Sequence, residues 1–348
     1  MMSPDPFNTV LSALAQELQK HTPSLISLAE RLTLAATHDV LVLLTGETGT
    51  GKTHLARLIH EFSPRKVHPL LVVPCGALSP NLLESEFFGH ARGAFTGADR
   101  TKIGKLEAAD SGTLLLDEID ALPVEAQASL LRVIETGAFE PVGSNETKFC
   151  QARIIAASNW DLEDAVAQGK FRQDLYYRLN VLAFFLPPLR ERRQDIEALA
   201  RAMVARFAAK FGKRLFVVSP EVLQALQIFP WPGNIRQLEN VLQQAVLVCP
   251  GSELLFEHLP HPIRDRTARS LSTIPPGCVP TKETDLIEPE TGKRILAKHL
   301  GASERAIIKQ TLAATGNSRG RAASALGISR VTLYKKMKKY GLVDSPLR

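Results

Sequence analysis

The sequence predicts an α/β protein built on a parallel sheet, followed by an all-helical region and a terminal helix-turn-helix. In its first half, apolar stretches of strand length alternate with helical patterns. The strand signals lie at 40–44, 70–74, 113–116, 153–157 and 181–186. The helical patterns between them include 52–62, 80–88 and 124–136. Strands that alternate with helices indicate a parallel sheet covered on both faces.

The first strand signal leads straight into a glycine-rich loop of the pattern Gly-x-x-x-x-Gly-Lys-Thr. The glycines allow backbone N–H groups to point into one concavity, and the start of the following helix favours an anion. Lys52 can reach the β- and γ-phosphates of a nucleotide, and the Thr53 hydroxyl can ligate Mg²⁺. A glycine-rich surface turn is the weaker alternative, because it does not explain the Lys-Thr ending. The predicted nucleotide-binding residues are Gly46, Glu47, Thr48, Gly49, Thr50, Gly51, Lys52 and Thr53.

Length and composition are those of a globular protein. The chain has 348 residues, of which 45% are hydrophobic and 22% charged, so it is long enough for two domains or more. No apolar run approaches the roughly 20 residues that cross a bilayer, and the N-terminus lacks the layout of a signal peptide. We therefore expect a cytoplasmic protein without membrane insertion. The four cysteines are far apart and form no metal-ligand spacing, which predicts reduced thiols.

Changes of pattern divide the chain into five segments. Residues 7–37 show helical periodicity, and Pro23 is expected to separate two helices there. Prolines among Ser, Thr and charged residues mark 261–292 as irregular. The predicted divisions are an N-terminal helical segment at 1–37, an α/β nucleotide-binding subdomain at 38–188, a helical subdomain at 189–260, a linker at 261–300 and a helix-turn-helix domain at 301–343.

Two further strand signals end in polar residues that suit nucleotide chemistry. The strand at 113–116 is followed by Asp117 and Glu118, and the strand at 153–157 is followed closely by Asn159. Ligands of parallel sheets bind at the carboxyl ends of the strands. Asp117 would hold Mg²⁺, directly or through water, and Glu118 would orient or deprotonate the attacking water. Asn159 could bond the γ-phosphate or that water, and its alternative role is that of a turn residue.

An aromatic residue flanked by small residues lies in the segment Gly93, Ala94, Phe95, Thr96, Gly97 and Ala98. This composition suggests a mobile loop with an exposed apolar tip. Exposed apolar surface on a loop usually indicates a binding partner. The alternative is an ordinary turn with Phe95 packed into the core, and the pattern alone leaves both open.

The last segment has the order helix, short helix, glycine turn and helix, which is typical of a helix-turn-helix. No acidic residue occurs from Ser318 to Tyr340, so the final helix has a dense basic face that suggests phosphate contacts. A solvated basic helix is the alternative. Ser329, Arg330 and Thr332 lie at the helix start, where they could contact base edges. The predicted DNA-binding residues are Arg319, Arg321, Ser329, Arg330, Thr332, Lys335 and Lys336.

Several of these motifs resemble those of one family. The segment Gly-Ala-Phe-Thr-Gly-Ala at 93–98 is similar to the signature of bacterial enhancer-binding proteins, the AAA+ ATPases that activate RNA polymerase carrying the sigma-54 factor. The Gly-Glu-Thr-Gly-Thr-Gly-Lys-Thr loop and the Leu-Leu-Leu-Asp-Glu strand also resemble that family. The similarity runs from about Asp39 to Leu259. It resumes near the C-terminus, where the chain resembles a Fis-type helix-turn-helix.

The resemblance implies an AAA+ P-loop core with a helical lid, and three further site residues. Arg172 and Arg178 lie in a segment that, in the family, supplies arginines to the nucleotide of the neighbouring subunit. Arg236 lies in the family's lid motif, where it would contact the γ-phosphate of its own subunit. Without the resemblance, these residues would be interpreted as solvated or salt-bridged arginines on helices.

The resemblance also implies function and partners. The chain would use ATP and Mg²⁺, assemble as a homo- or hetero-hexamer and bind enhancer DNA. It would convert the closed complex of the sigma-54 RNA polymerase holoenzyme to the open complex. The alternatives are a DNA-binding regulator with a mainly structural ATPase module, and an AAA+ remodeller of other proteins.

Regulation is expected to come from outside the chain. Only about 40 residues precede the first strand, which is short for a sensory domain. We therefore expect control by expression level or by a trans-acting regulatory protein. Relatives of this short build serve type III secretion regulation and the phage-shock response, and we expect the former.

One position departs from the family pattern. Relatives have Asn-Cys-Ala-Ala-Leu where this chain has Pro74, Cys75, Gly76, Ala77 and Leu78. The asparagine is thought to tether the catalytic glutamate according to nucleotide state, and proline has neither that side chain nor a backbone donor. Either a second polar group substitutes for it, or the switching is weaker than in relatives.

Overall fold

The computed structural model describes residues 6–77, 80–215 and 217–265, together with positions 333 and 337. The chain divides into two compact units, Met1–Ile274 and Pro275–Arg348. In the second unit, Leu333 and Met337 are helical and buried, at the four-residue spacing of one helical face. Most of the predicted linker lies outside the described residues. So do the predicted DNA-binding residues Arg319, Arg321, Ser329, Arg330, Thr332, Lys335 and Lys336.

The first unit alternates helices and strands before it becomes mainly helical. The helices bounded within the described residues are α1 Pro6–His21, α2 Ala29–Thr37, α3 Lys52–Glu61, α4 Pro80–Phe88, α5 Lys105–Ala108, α6 Val124–Thr136, α7 Leu162–Ala167, α8 Gln173–Leu179, α9 Gln194–Lys210, α10 Pro220–Ile228 and α11 Asn234–Val248. The strands there are β1 Val42–Thr45, β2 Leu70–Pro74, β3 Gly89–His90, β4 Lys102–Ile103, β5 Thr113–Asp117, β6 Ala138–Phe139, β7 Lys148–Phe149, β8 Arg153–Ser158, β9 Leu182–Phe185, β10 Val217–Val218 and β11 Glu253–Leu254.

Five of the strands form one parallel sheet in the order β2-β5-β8-β1-β9, which confirms the predicted α/β architecture. Thr45 at the end of β1 pairs with Ser158 at the end of β8, and Pro74 pairs with Asp117. The carboxyl ends of these strands therefore lie along one edge of the sheet. Each of the three sequence-predicted nucleotide motifs follows one of these ends.

Side chains alternate between two apolar cores, one on each face of the sheet. In β5, Leu114 and Leu116 pack into the core that contains α6 and α8, whereas Leu115 packs into the core that contains α1, α2 and α3. In β8, Ile154 and Ile155 divide in the same way. A strand buried on both faces has an uninterrupted apolar sequence, which explains why the strand signals were continuous apolar runs.

The region from α9 to α11 forms a separate helical core, as the sequence predicts. Fully buried Trp231, Leu238 and Leu242 lie in it, and Trp231 Nε1 donates a hydrogen bond of 2.7 Å to the Leu226 carbonyl oxygen. Burying an indole without leaving its N–H unpaired requires such an acceptor. This helical subdomain is referred to below as the lid.

The N-terminal helices cover the sheet face on which α3 packs. The first helix ends at His21, and Pro23 begins a short 3₁₀ helix before α2, so the predicted break at this proline is confirmed. Leu14, Leu18 and Leu32 are fully buried against α3 and the sheet. Within the described part of the chain, no helix is both long and apolar enough to cross a membrane.

Among the described residues, Cys75, Cys150 and Cys249 are free cysteines. Burial raises the pKa of the Cys75 thiol to about 12, so this side chain is neutral at ordinary pH. It packs as a small apolar group beneath the carboxylate-bearing end of β5.

Candidate active site

The phosphate loop links β1 to α3, and its glycines are required by geometry. Gly46 and Gly49 have φ angles of +143° and +80°, which side chains rarely permit. A Cβ at Gly46 would lie 2.4 Å from the Leu186 carbonyl oxygen, and one at Gly49 would lie 2.6 Å from the Gly233 carbonyl oxygen. The loop therefore approaches both the end of the sheet and the lid more closely than any side chain would allow.

Lys52 lies at the centre of the site and is 5% exposed. Its ammonium group donates hydrogen bonds to the carbonyl oxygens of Gly46 (2.6 Å) and Glu47 (3.0 Å) and to Asn159 Oδ1 (2.8 Å). Burial lowers the pKa of Lys52, and the nearby carboxylate of Asp117 opposes that shift. The arrangement places one buried cation where a phosphate would bind.

Thr53 and Asp117 are brought together, as predicted for a Mg²⁺ site. Thr53 Oγ1 donates a hydrogen bond of 3.1 Å to Asp117 Oδ2. Hydroxyl and carboxylate oxygens are ligands that suit Mg²⁺, which usually also keeps water and substrate phosphates as ligands. Among the described residues there is no group of three or more His, Cys, Asp and Glu that could hold a metal. Thr53 and Asp117 therefore fit a Mg²⁺ site only if phosphate oxygens of a bound nucleotide supply further ligands.

Glu118 follows Asp117 in a strained backbone conformation. Its φ and ψ angles are +56° and +47°, in the left-handed region that non-glycine residues seldom occupy. Such strain costs of the order of 1–3 kcal/mol and is concentrated at functional sites. It turns the side chain towards Asn159, whose Nδ2 donates a hydrogen bond of 3.3 Å to Glu118 Oε1.

Asn159 bridges Lys52 and Glu118. Its Oδ1 accepts a hydrogen bond from Lys52, and its Nδ2 donates one to Glu118. Its backbone N–H donates to Asp120 Oδ1 at 2.9 Å, and the neighbouring Ser158 hydroxyl donates to the same oxygen at 2.9 Å. Asp120 therefore orients the end of β8. This role was not apparent from the sequence, where Asp120 is one more acid after the strand.

Two adjoining cavities share part of their lining beside the phosphate loop. The smaller, of about 200 Å³, is polar and contains the predicted residues Lys52, Thr53, Asp117, Glu118 and Asn159 among its lining. The larger, of about 380 Å³, is mainly apolar, and its lining includes residues of α1, α3 and α9. Gly51, His54, Ile235 and Glu239 line both. The larger cavity was not foreseen, because its walls come from several segments that are distant in sequence. Those lining residues include Leu18, Thr22, Leu25, Leu58, Leu199 and Met203.

The lid contacts the phosphate loop through Asn234, which is fully buried. Asn234 Nδ2 donates to the Thr48 carbonyl oxygen (3.0 Å) and to Glu47 Oε2 (3.1 Å), while Asn234 Oδ1 accepts from the Leu189 N–H (2.8 Å). The next residue, Ile235, donates its N–H to the Gly49 carbonyl oxygen at 2.9 Å. The lid motif is therefore bonded directly to the loop that would bind phosphate.

The Glu47 side chain faces the lid. Its two carboxylate oxygens accept hydrogen bonds from the Arg190 guanidinium at 2.6 and 2.9 Å. Hydrogen bonds from Arg190 and Asn234 lower the pKa of Glu47 to about 2. Glu47 is one of the eight loop residues predicted to bind nucleotide, but its side chain is bonded to Arg190 and Asn234 of the protein. Its backbone remains part of the loop.

A second, buried connection joins the phosphate loop to the lid and the N-terminal segment. The guanidinium of Arg192 donates to the Thr50 carbonyl oxygen, and its Nη1 lies 3.8 Å from Asp195 Oδ2. Asp195 in turn accepts from the Ser24 hydroxyl at 2.5 Å and the Ser24 N–H at 2.9 Å. Arg192 and Asp195 are 2% and 0% exposed, so each needs these partners.

The three predicted arginines occupy different surroundings. Arg236 lines the smaller cavity, on the lid side of the phosphate loop. Arg172 precedes α8, and its guanidinium makes a bidentate pair with Asp174 at 2.7 and 3.0 Å on the surface. Arg178 is an exposed residue in the last turn of α8. The described residues that line the smaller cavity include neither Arg172 nor Arg178.

The loop at 93–98, referred to below as the contact loop, is closed by its own backbone. The Gly93 N–H donates to the Ala98 carbonyl oxygen at 2.8 Å. Phe95 is 39% exposed, and its ring lies edge-on to that of His90 with 5.0 Å between centroids. Phe95 is therefore not a core residue, which favours the exposed-tip interpretation over the ordinary turn.

Residues outside the contact loop fix its base. His90 Nδ1 lies 2.7 Å from the Ser85 hydroxyl oxygen, so the ring against which Phe95 rests is itself anchored to α4. On the other side, a Cβ at Gly143 would lie 2.6 Å from the Ala94 Cβ. Gly143 therefore allows the loop to pack closely against the segment that joins β6 and β7.

Profiles of three protein families match the chain. The Sigma-54 interaction domain matches residues 18–184, the AAA+ ATPase lid domain matches residues 190–273, and the Fis family of bacterial regulatory proteins matches residues 300–340. Together they cover the α/β region, the lid and the C-terminal segment. The third match also covers the part of the chain in which the sequence predicts DNA binding.

Among curated proteins, the chain is similar to bacterial regulators. It is 40% identical over 325 residues to the alginate biosynthesis transcriptional regulatory protein AlgB of Pseudomonas aeruginosa, covering 93% of this chain and 68% of AlgB. It is 40% identical to the regulatory protein AtoC of Escherichia coli, covering 92% and 67% of the two chains. It is 41% identical to the transcriptional regulatory protein ZraR of Klebsiella oxytoca, covering 91% and 68%.

Solved structures agree with this fold. NtrX from Brucella abortus in complex with ATP superposes with a TM-score of 0.64 at 28% identity, covering 95% of this chain and 72% of NtrX. Hsp104 of S. cerevisiae, in complex with casein, superposes with a TM-score of 0.53 at 17% identity, covering 70% of this chain and 48% of Hsp104. The second likeness concerns the fold alone.

A parallel sheet with a phosphate loop at its carboxyl edge, an Asp-Glu pair on the next strand but one and a helical lid define an ATPase of the AAA+ class. The matched profiles and relatives narrow that class further. The chain belongs to the sigma-54-dependent transcriptional activators, which are ATPases with a Fis-type DNA-binding domain. The resemblance drawn from the contact loop is thereby confirmed.

Proposed function

We propose that ATP binds across the two cavities, with its phosphates in the smaller and its base and sugar in the larger. Lys52 supplies the positive charge, and the backbone N–H groups between Gly46 and Gly51 supply further donors. The observation that supports this division most strongly is the contrast in lining, since Lys52, Asp117 and Glu118 line the smaller cavity, whereas the exposed surface of the larger is mainly apolar. NtrX, a structural relative, has been crystallised with ATP and with ADP.

Thr53 and Asp117 are the residues proposed to hold Mg²⁺. Their oxygens are already within hydrogen-bond distance beside Lys52, and each is a hard donor. When bound, the ion would supply charge neutralisation on the β- and γ-phosphate oxygens. The protein contributes the two oxygens, and Glu118 N–H donates to the other Asp117 oxygen at 3.1 Å, which keeps that carboxylate oriented.

Hydrolysis is assigned to Glu118, which would accept a proton from the attacking water or orient it. Asn159 is placed between Glu118 and Lys52, so it can bond either the γ-phosphate or the water. Arg236 would contact the γ-phosphate from the lid side of the cavity. Because Arg236 belongs to the lid and the neighbouring Ile235 is bonded to the phosphate loop, a change at the γ-phosphate would reach the lid through Arg236.

Arg172 and Arg178 are proposed to act on the nucleotide of a neighbouring subunit. Both are on the surface, and the described lining of the cavity includes neither of them. A guanidinium suits the charge that develops on the transferred phosphoryl oxygens. This assignment requires an assembly of several chains, for which a homo- or hetero-hexameric ring is proposed.

The contact loop is proposed to carry the movement to sigma-54. Nucleotide turnover would raise and lower Phe95 and Thr96 against the sigma factor within the RNA polymerase holoenzyme, and convert the closed promoter complex to the open one. The Fis-type domain would position the ring at an enhancer in the cytoplasm. A trans-acting regulatory protein and a role in type III secretion stay predictions.

The experiment that tests this function is the Lys52→Ala substitution. Removing the buried ammonium should abolish ATP turnover and activation of a sigma-54 promoter, while enhancer binding is unchanged, because the DNA-binding segment is separate in sequence. The measurements are phosphate release, transcription from a defined promoter, and a DNA-binding titration. Lys66→Ala, at an exposed position outside the cavities, is the control and should leave all three unchanged. Full activation by Lys52→Ala would mean that the ATPase module is structural.

A further inference from the structure

A third cavity, of about 230 Å³, lies at the amino ends of β1 and β8, on the opposite edge of the sheet from the phosphate loop. Its described lining shares no residue with the two nucleotide cavities. Two arginines, Arg65 and Arg153, line it together with Asp39. Ligands of parallel sheets usually bind at the carboxyl edge, so neither the fold nor the proposed ATPase function explains a charged cavity here.

Arg153 brings a positive charge into the wall of this cavity without a matching negative charge. It is 4% exposed, and its Nη2 donates to the Ala35 carbonyl oxygen near the end of α2. Among the described residues, its Nε has no hydrogen-bond partner. Burial lowers the pKa of Arg153 to about 10, although the nearby Asp39 carboxylate opposes that shift. A helix end offers only a fraction of a unit charge, so the bond to α2 leaves much of the guanidinium charge unbalanced.

The Asp39 carboxylate is bonded to the other arginine, Arg65. Asp39 Oδ2 accepts a hydrogen bond of 2.5 Å from Arg65 Nη2, and the Asp39 side chain is 57% exposed. An ion pair that is open to solvent contributes little, so Asp39 can turn into water at a small cost. Arg65 would keep its place without Asp39, because its Nη1 donates to the carbonyl oxygens of Ser111 and Gln151, each at 2.8 Å.

We propose that this cavity is a binding site for a small oxyanion of the phosphate type, with Arg153 and Arg65 as its cationic residues. The anion takes the place of Asp39 beside Arg65 and supplies the negative charge that Arg153 lacks. Guanidinium groups suit phosphate because their N–H donors match its oxygens in pairs. Two arginines and one carboxylate give the described lining a net positive charge, and the departure of Asp39 increases it. The site is separate from the nucleotide site and does not depend on ATP turnover.

The test measures the binding of inorganic phosphate to the full-length chain by equilibrium dialysis at constant ionic strength. Every variant also carries Lys52→Ala, so that the phosphate loop lacks its cation. Arg153→Met removes the buried charge, and the affinity for phosphate should fall at least tenfold. The chain should stay folded, because replacing a buried ion by an apolar residue is often neutral or stabilising. An affinity equal to that of the Lys52→Ala chain would overturn the proposal.

Asp39→Asn tests the same site without altering a buried group, and it decides the question if Arg153→Met fails to fold. Removing the competing carboxylate should strengthen phosphate binding about three- to fivefold, whereas a phosphate site elsewhere would not respond. Asp164→Asn, at an exposed position on α7, is the matched control and should bind phosphate like the Lys52→Ala chain. Binding in Asp39→Asn that is unchanged or weaker contradicts the proposal.

Discussion

At the scale of single residues, the site uses backbone conformations that most sequences avoid. Non-glycine residues with positive φ include Glu118 (+56°) and Asn234 (+50°), one on each side of the nucleotide cavities. Each is restrained by partners, Glu118 by Asn159 and Asn234 by the loop residues Glu47 and Thr48. Strain of this kind persists only where the surrounding contacts outweigh its cost.

Asn234 should therefore matter more than a residue beside an active site usually does. Asn234→Ala removes the acceptor of the buried Leu189 N–H and two bonds to the phosphate loop. We expect the free energy of unfolding to fall by about 1–3 kcal/mol, because a buried donor is left unpaired. The apparent KM for ATP should rise in addition. Urea denaturation and steady-state ATPase assays measure the two effects.

The control for Asn234→Ala is the same substitution at Asn145, which is exposed in the segment between β6 and β7. It should leave stability and KM within error of the unmodified chain, as most surface substitutions do. If Asn234→Ala were as stable as Asn145→Ala, the bonds between the lid and the phosphate loop would contribute nothing to the fold.

The site residues that could be predicted from the sequence are those that the topology of the parallel sheet brings together. Lys52, Thr53, Asp117, Glu118 and Asn159 all follow strands of one parallel sheet, so their convergence follows from topology.

The contacts of Glu47 and Asn234 could not be predicted in this way. They depend on how the lid packs onto the loop, and no pattern within either segment determines that.

At the scale of secondary-structure elements, the contact loop is a short, protruding loop whose base is fixed by hydrogen bonds. Its ends are joined by the bond from Gly93 to Ala98, and its tip rests on His90, which Ser85 anchors. The ring contact between Phe95 and His90 is one small interface at the edge of the protein. An element attached in this way can move as a unit without disturbing the apolar core.

Phe95 should therefore be dispensable for folding and ATP turnover and necessary for sigma-54 contact. Phe95→Ala removes the exposed ring and leaves the backbone bonds of the loop in place, so ATPase activity should stay within about twofold of the unmodified chain. Binding to sigma-54 should fall at least tenfold, as expected for loss of an aromatic anchor. An ATPase assay and a pull-down or titration with purified sigma-54 measure the two effects.

Phe149→Ala is the matched control, since Phe149 is 70% exposed on β7 and lies outside the contact loop. It should affect neither measurement. If Phe95→Ala lost ATPase activity together with sigma-54 contact, the residue would have a structural role and the uncoupling argument would be wrong.

The strands of the main sheet and two of the helices were predicted closely. Helices α4 and α6 occupy the predicted ranges 80–88 and 124–136, and the five strands of the main sheet begin and end within about two residues of the predicted bounds. The two-residue pairs β3–β4 and β6–β7 were not predicted. Pairs so short carry no periodicity, and they form because the surrounding core holds their chains together.

At the scale of the whole first unit, the phosphate loop is the point where three parts of the chain meet. Arg192 joins the Thr50 carbonyl to the lid, and Asp195 extends the connection to Ser24 in the N-terminal segment. Asn234 makes a second connection between lid and loop. A change in the loop on nucleotide turnover therefore acts on the N-terminal segment and the lid together.

The catalytic set, however, is incomplete in a single chain if the arginine assignments are right. Arg172 is neutralised by Asp174 on the surface, and the described lining of the smaller cavity contains Arg236 alone among the three predicted arginines. If an arginine acts on the phosphate loop of a neighbouring chain, the two can be mutated in different chains. Activity in a mixture of such chains then distinguishes action in trans from action within one chain.

Mixing two inactive variants makes this separation measurable. Lys52→Ala lacks a working phosphate loop but keeps Arg172, and Arg172→Ala keeps the loop but lacks the arginine. Each alone should hydrolyse ATP at less than about a tenth of the normal rate, because a transferred arginine contributes at least that much to turnover. In a one-to-one mixture, about a quarter of the subunit contacts join an intact loop to an intact arginine, so roughly that share of activity should return. A mixture no more active than its components would show that Arg172 does not act across a subunit contact, and the ring would then have to be justified on other grounds.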